Sequence, residues 1–253
     1  MFVKYRSVKL LLLMSVLGHA SGDQVAQRFT KVVGSYTDTF CRLKSAPVTA
    51  TGSSLGLRIV CSQKCLQTTN CHFFCILKSL GTCALFSAFV AVRWPGHPVS
   101  ATGTQYDACY SSWADSRDIM KTNFSFNYST AWSLTANGPK YALEGFGCLS
   151  YPFFLTKEYA NSFTQIDLEE ATRVQTVLFA TSNQNCVADT YVFLSNTTDF
   201  NLGQEIGKVN GIPPGWATYT LITNASVAGR YITTFQTLCS CHCYAAIQII
   251  PPP

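Results

Sequence analysis

The sequence predicts a small, disulfide-braced α+β module followed by an all-β antiparallel sandwich. Three observations predict it. Seven of the twelve cysteines fall between residues 41 and 109, a stretch too short to bury a comfortable core without bridges. From residue 163 onward the chain is a succession of short runs rich in β-branched and aromatic residues, most of them parted by polar or Gly/Pro turns. No long helical segment separates those runs, which is the pattern of an antiparallel sandwich or barrel.

What the cysteines do depends on the compartment, and the first residues address that. Lys4, Arg6 and Lys9 form a basic region, residues 10–17 a short apolar core, and Gly18-His19-Ala20 leaves small residues before Ser21. This predicts a secretory signal peptide over residues 1–20, too short for a membrane span. No other stretch is long and apolar enough to cross a bilayer, so no transmembrane segment is expected and the mature chain should be secreted and extracellular. Export favours disulfides over free thiols. Four Asn-x-Ser/Thr triplets, at Asn123, Asn127, Asn196 and Asn224, are candidate glycosylation sites. The formal charge of +5 falls to +2 once the three basic residues of the signal leave. So small a charge, without a basic cluster, argues against a nucleic-acid partner.

In the first module, "VCSQKCLQTTNCHFFCILKSLGTCALF" carries the local signals. Cys61 and Cys65 are one helical turn apart and share a face of a short helix; Thr68, Thr69 and Asn70 end it, and "CHFFCIL" has strand composition. Cys75 has the opposite parity to Phe74 and Ile76, which predicts that it points outward. The spacing Cys-x3-Cys-x5-Cys, then Phe74 and Cys83-Ala-Leu, resembles the PAN/apple module over residues 41–112. That resemblance implies a helix packed on a curved antiparallel sheet and the pairs Cys41–Cys109, Cys61–Cys83 and Cys65–Cys71. Spacing alone leaves fifteen pairings of those six open. A zinc site with His72 is the other reading of this cluster, and the oxidising compartment favours bridges.

"YSSWADSRDIMKTN" reads as a polar linker between the modules. Beyond it the strand runs are "FTQIDL", "RVQTVLF", "TYVFLS", "ATYTLIT", "GRYITTF" and "YAAIQII". With "YALEG" ahead of them and "GRYI" near the end, their order resembles a discoidin-type domain (coagulation factor V/VIII type C), especially its fucolectin-like branch, over residues 120–250. The resemblance implies an eight-stranded jelly-roll sandwich of galactose-binding-like type, with ligands bound by loops at one end. Asp167 is expected to hold a turn, Arg230 to bridge two strands, and Tyr231 and Phe235 to lie in the core. The family's fucose site needs a histidine and two arginines; "TSNQNCVAD" has no Arg or Lys, and no histidine occurs between residues 98 and 241. The family's calcium site needs an acid on the last strand, and nothing after Glu205 is acidic.

Candidate ligand-binding residues are therefore sought among loop aromatics and amides: Tyr151, Phe153, Phe154, Lys157 and Tyr159, with Asn183 and Gln184 on the neighbouring loop. Aromatic faces can stack on a sugar or pack against the first module. The closing "CSCHC" places Cys239, Cys241 and Cys243 on one side of a continuous strand, where their sulfurs diverge too far for tetrahedral metal. They are expected to be disulfide halves, two of them paired with Cys148 and Cys186. One spare would then pair with Cys75 across the modules, or one thiol would stay free or intermolecular in each half. No metal, cofactor or catalytic constellation is expected. The sequence predicts a non-enzymatic binding protein for extracellular carbohydrate, glycoprotein or cell surface. The alternative is a structural matrix protein whose modules mediate protein–protein assembly.

Overall fold

The computed structural model describes residues 29–33, 36, 41–48, 53–96, 104–129, 138–148, 153–157, 160–181, 189–209, 217–223, 227–237 and 242–253. The expected signal peptide lies outside them. The first sheet system comprises β1 (Thr30–Val32), β2 (Arg42–Pro47), helix α1 (Ser54–Leu66), β3 (Phe73–Leu77), β4 (Thr82–Phe86), the short β5 (Phe89–Val90) and β6 (Ala108–Ser111). Its five-stranded antiparallel sheet has the order β1-β6-β3-β4-β2. The Ser53 hydroxyl caps α1 by accepting from Gly56 N at 3.2 Å, and Asn70 leaves the turn behind the helix with φ 59°, a conformation asparagine tolerates.

The two faces of this sheet are buried differently. Phe74, Ile76, Cys83 and Leu85 meet Cys61 and Cys65 of α1, and the bridges Cys61–Cys83 and Cys65–Cys71 tie helix to sheet and to its own exit. These are two of the three pairs expected. On the other face lie Phe73, Cys75, Phe86 and Cys109, covered by Tyr36, Trp94, Phe146 and Cys148. The third pair therefore differs. Cys75 faces Cys109 directly across β3 and β6 and is bridged to it, while Cys41 is bridged to Cys148. Cys75 is fully buried rather than outward, because a chain segment more than fifty residues downstream covers that face. One bridge thus does join the halves, the first of the two alternatives their odd cysteine counts left open. It is Cys41–Cys148 rather than one from Cys75, so the expected pairing of Cys148 with one of Cys239, Cys241 or Cys243 does not form. Cys186, Cys239 and Cys241 lie outside the described residues; Cys243 is buried.

The second system comprises β7 (Ser125–Tyr128), α2 (Lys140–Leu143), β8 (Phe146–Gly147), β9 (Phe154–Leu155), β10 (Ser162–Arg173), β11 (Thr176–Thr181), β12 (Thr190–Ser195), β13 (Gln204–Val209), β14 (Ala217–Ile222), β15 (Ala228–Gln236), β16 (Cys243–Tyr244) and β17 (Ala246–Ile250). A five-stranded sheet, β13-β12-β15-β10-β7, faces a three-stranded one, β14-β11-β17. Ile166, Leu168, Val192, Leu194 and Ile232 from the first interdigitate with Val177, Phe179, Ile247 and Ile249 from the second. This is a β-sandwich with few helices, its inner and outer residues alternating along each strand. The last strand is not continuous: it breaks at Ala245, between β16 and β17, so the alternation expected from Cys239 through Ile249 shifts there.

The first module forms a third layer. The outer face of the three-stranded sheet, through Leu178, Ala180 and Ala246, packs on Phe89, Ala91 and Trp113. Small residues permit the approach. A Cβ on Gly147 would lie 2.5 Å from Ala245 Cβ, and one on Gly145, whose φ is 79°, 2.9 Å from Ala91 Cβ. The expected polar linker is here a buried strap. Trp113, Ala114 and Met120 are withdrawn from solvent, and the strap occupies the otherwise open edge of β17. Ile119 N donates to Ile249 O at 3.0 Å, Ile249 N to Asp118 Oδ1 at 3.1 Å, and Gln248 Nε2 to Trp113 O. An unpaired edge is thereby covered.

Candidate functional site

Strand register places one set of termini together. Ser162 pairs with Gln236, Tyr191 with Phe235, and Thr190 with Val209; Thr164 pairs with Tyr128 and Thr181 with Ala217. The near ends of β7, β10, β11, β12, β13, β14 and β15 thus share one end of the sandwich. The connections leaving this end span residues 130–137, 149–161, 182–188, 210–216 and 237–242, most of them outside the described residues. Tyr151, Tyr159, Asn183 and Gln184 fall there.

Three candidates are described. Lys157 is exposed. Phe153 is half-buried against the junction cluster and against Cys243. Phe154 is fully buried, with ring contacts to Phe126 at 4.9 Å, Tyr128 at 5.6 Å and Tyr244 at 6.3 Å. Phe154 is therefore neither a ligand platform nor a contact to the first module. It lies on β9, which pairs with β16, and that pairing turns its ring into the sandwich core.

Beneath the loop end lies a buried polar layer. Gln236 Nε2 donates to Thr190 Oγ1 at 2.8 Å, and Ser162 Oγ donates to Gln236 Oε1 at 3.4 Å. Tyr244 Oη donates to Thr234 Oγ1 at 2.9 Å and lies 2.8 Å from His242 Nδ1; Thr164 Oγ1 bonds Thr234 Oγ1. His242 N donates to Thr156 Oγ1 at 2.8 Å. Burial lowers the His242 pKa to about 4 and raises that of Tyr244, so both are neutral at physiological pH. A hydrogen-bonded layer of this kind fixes the strand ends on which loops are mounted. Only "CSCHC" hinted at it, through a histidine that composition alone places nowhere.

The outer face of the five-stranded sheet carries residues that the sequence placed in the core. Phe235 packs on Phe200 at 5.0 Å and Phe200 on Phe193 at 5.4 Å. Tyr191 sits 6.4 Å from Phe193, with Lys208 Nζ 4.6 Å from its ring. Tyr231 and Phe235 are half-buried there, because they alternate with Ile232 and Thr234, which face inward. Asp167 accepts from Glu169 N at 2.8 Å and, across to β15, from Arg230 Nε at 2.7 Å and Nη2 at 2.8 Å. Its hydrogen bonds from Arg230 hold its carboxyl below the usual range. The turn-holding carboxylate and strand-bridging cation are as expected. Among the described residues, no three His, Cys, Asp or Glu side chains gather as metal ligands.

No family model and no curated protein matches the chain. Solved structures do. The lectin domain of lectinolysin complexed with Lewis b antigen is similar at 16% identity, with 55% of this chain and 99% of that one covered and a TM-score of 0.45. A fucolectin from striped bass (Morone saxatilis) serum matches at 16% identity, with 53% of this chain and 48% of that one covered and a TM-score of 0.46. A fucose-binding module from Streptococcus pneumoniae matches at 12% identity, with 54% and 98% covered and a TM-score of 0.44.

Proposed function

We propose that the chain is a secreted, non-enzymatic recognition protein that binds extracellular carbohydrate, glycoprotein or cell surface through the loop end of its sandwich. In this reading residues 1–20 are a cleaved signal, 41–112 a PAN/apple-like module and 120–250 a discoidin-like one. The gathering of seven strand ends at one end of the sandwich, with β10, β12, β15 and β16 held there by a buried hydrogen-bonded layer, carries the proposal: loops mounted on a rigid scaffold are where binding residues concentrate. The three described candidate glycosylation sites lie off the connections at that end. Asn123 precedes β7 and Asn196 follows β12 at the opposite end, Asn127 lies on the outer face of edge strand β7, and all three are exposed; Asn224 lies outside the described residues.

The test is a glycan array and cell-surface binding with the recombinant mature chain. We expect binding that falls at least tenfold in Lys157→Ala and in an Asn183→Ala/Gln184→Ala pair, at unchanged melting temperature. Binding indifferent to all three substitutions would remove the loop end from consideration. A second reading, protein–protein assembly, is favoured by one observation: half-buried Tyr191, Phe193, Phe200 and Phe235 on the outer sheet face, aromatic residues of the kind enriched at interfaces. Self-association abolished by Phe193→Ser, with an empty array, would select it.

A further inference from the structure

At the end of the sandwich away from the loop cluster lies a shallow cleft of about 240 Å³, bordered by Asn196, Thr197, Leu202, Gln204, Val227 and Ala228. It is smaller than the roughly 300–1,000 Å³ typical of sites for drug-sized ligands. We propose that its occupant is the chain's own N-glycan: the core sugars attached at Asn196 fold back into this cleft and cover Leu202. The proposal goes beyond ligand recognition and rests only on export through the secretory pathway.

Three observations carry it. First, the occupant is tethered. Asn196 opens the triplet Asn196-Thr197-Thr198, is exposed, and itself forms part of the cleft wall, so the first sugar starts inside the space. Second, the acceptor is presented by an ordered loop. Thr197 N donates to Ser195 Oγ at 3.1 Å, Ser195 Oγ to Asp199 O at 3.3 Å, and Thr197 Oγ1 to the same carbonyl at 3.2 Å. Gln165 Nε2 anchors the loop from the sheet by donating to Thr198 O at 3.0 Å. Third, the cleft has the mixed chemistry of a sugar face. Leu202, 75% exposed, and Val227 offer apolar surface to C–H groups and an acetamide methyl. Thr197 and Gln204 offer hydroxyl and amide groups to the ring oxygens. Neither Asn123 nor Asn127 borders this cleft, so their glycans should extend into solvent.

The experiment uses the full chain secreted from cells that glycosylate. Site-by-site mass analysis is expected to find Asn196 occupied. Thr198→Ala abolishes the glycosylation triplet while leaving the acceptor Asn196 in place; it should lower the melting midpoint by about 2–4 °C, the scale of a modest stabilising contact in a chain this size, and speed amide exchange over residues 199–204. Asn123→Gln and Asn127→Gln should do neither. Trimming the folded wild type to its first sugar with an endoglycosidase, which requires no variant to fold, should retain most of the protection, and complete removal with an N-glycosidase should abolish it. An unoccupied Asn196 beside glycans at other sites would overturn the proposal and leave export standing; no glycan at any site would overturn both. A Thr198→Ala chain with wild-type midpoint and exchange would overturn the seated glycan alone.

Discussion

Asp118 and Arg93 face each other across the joint between the two sheet systems, with 1% and 9% of their side-chain surfaces exposed. Arg93 also donates from Nε to Leu143 O at 2.7 Å and from Nη2 to Ile247 O. The other Asp118 oxygen accepts from Met120 N and Ile249 N, each at 3.1 Å. One pair therefore ties a loop of the first module, the strap, α2 and β17. Burial pushes the Asp118 carboxyl up and the Arg93 guanidinium down, each toward its neutral form, against their mutual attraction. A pair of this kind contributes modestly as a whole and is costly to break singly.

Asp118→Ala should therefore destabilise by about 3–5 kcal/mol, since it strands a buried cation. The double variant with Arg93→Met should recover a large part of that loss. Urea unfolding of the four members of the cycle measures it; an additive double variant would mean that the pair is not coupled.

The bridge Cys41–Cys148 should appear as a linked peptide pair on non-reducing digestion, together with Cys75–Cys109. Recovery of a Cys41–Cys109 peptide would refute the arrangement. Removing Cys41–Cys148 by double serine substitution should cost about 2–5 kcal/mol.

Phe154→Ala should lower stability by about 3–5 kcal/mol through the cavity it leaves, whether or not a ligand is present. Phe153→Ala should cost less, because Phe153 is half-buried at the joint. A Phe154→Ala chain with unchanged midpoint would contradict its place in the core.

The neutral, buried His242 predicts an acid-sensitive sandwich. Its folded pKa of about 4 lies below the unfolded value of 6.5, so between those values the unfolded chain holds more protons. Stability from this residue is complete above about pH 6.5 and is lost as pH falls toward 4, on the order of 3 kcal/mol in total. Urea midpoints for wild type and His242→Gln across pH 4–7 isolate its share. Parallel slopes for the two proteins would show that the ring does not titrate in this window.

The sequence by itself determined most of the sandwich strands and the helix carrying Cys61 and Cys65, which follow from local composition and hydrophobic period. The pairs Cys61–Cys83 and Cys65–Cys71 came from the resemblance to the PAN/apple module, since spacing alone leaves fifteen pairings open, and the structure contains both. The sequence also marked Asp167 and Arg230, whose roles are set by neighbouring strands of one sheet. It missed β13, whose "QEIGKV" is polar because an edge strand buries little. Only the tertiary structure decided which faces are covered. Cys75 and Phe146 became interior because the two modules close on each other. Phe154 became core because β9 pairs with β16, and the polar strap became buried because its backbone and Asp118 satisfy the open edge of β17. Alternation states that two faces differ; what packs against each is a long-range event, governed by the total apolar area that the closed assembly removes from water.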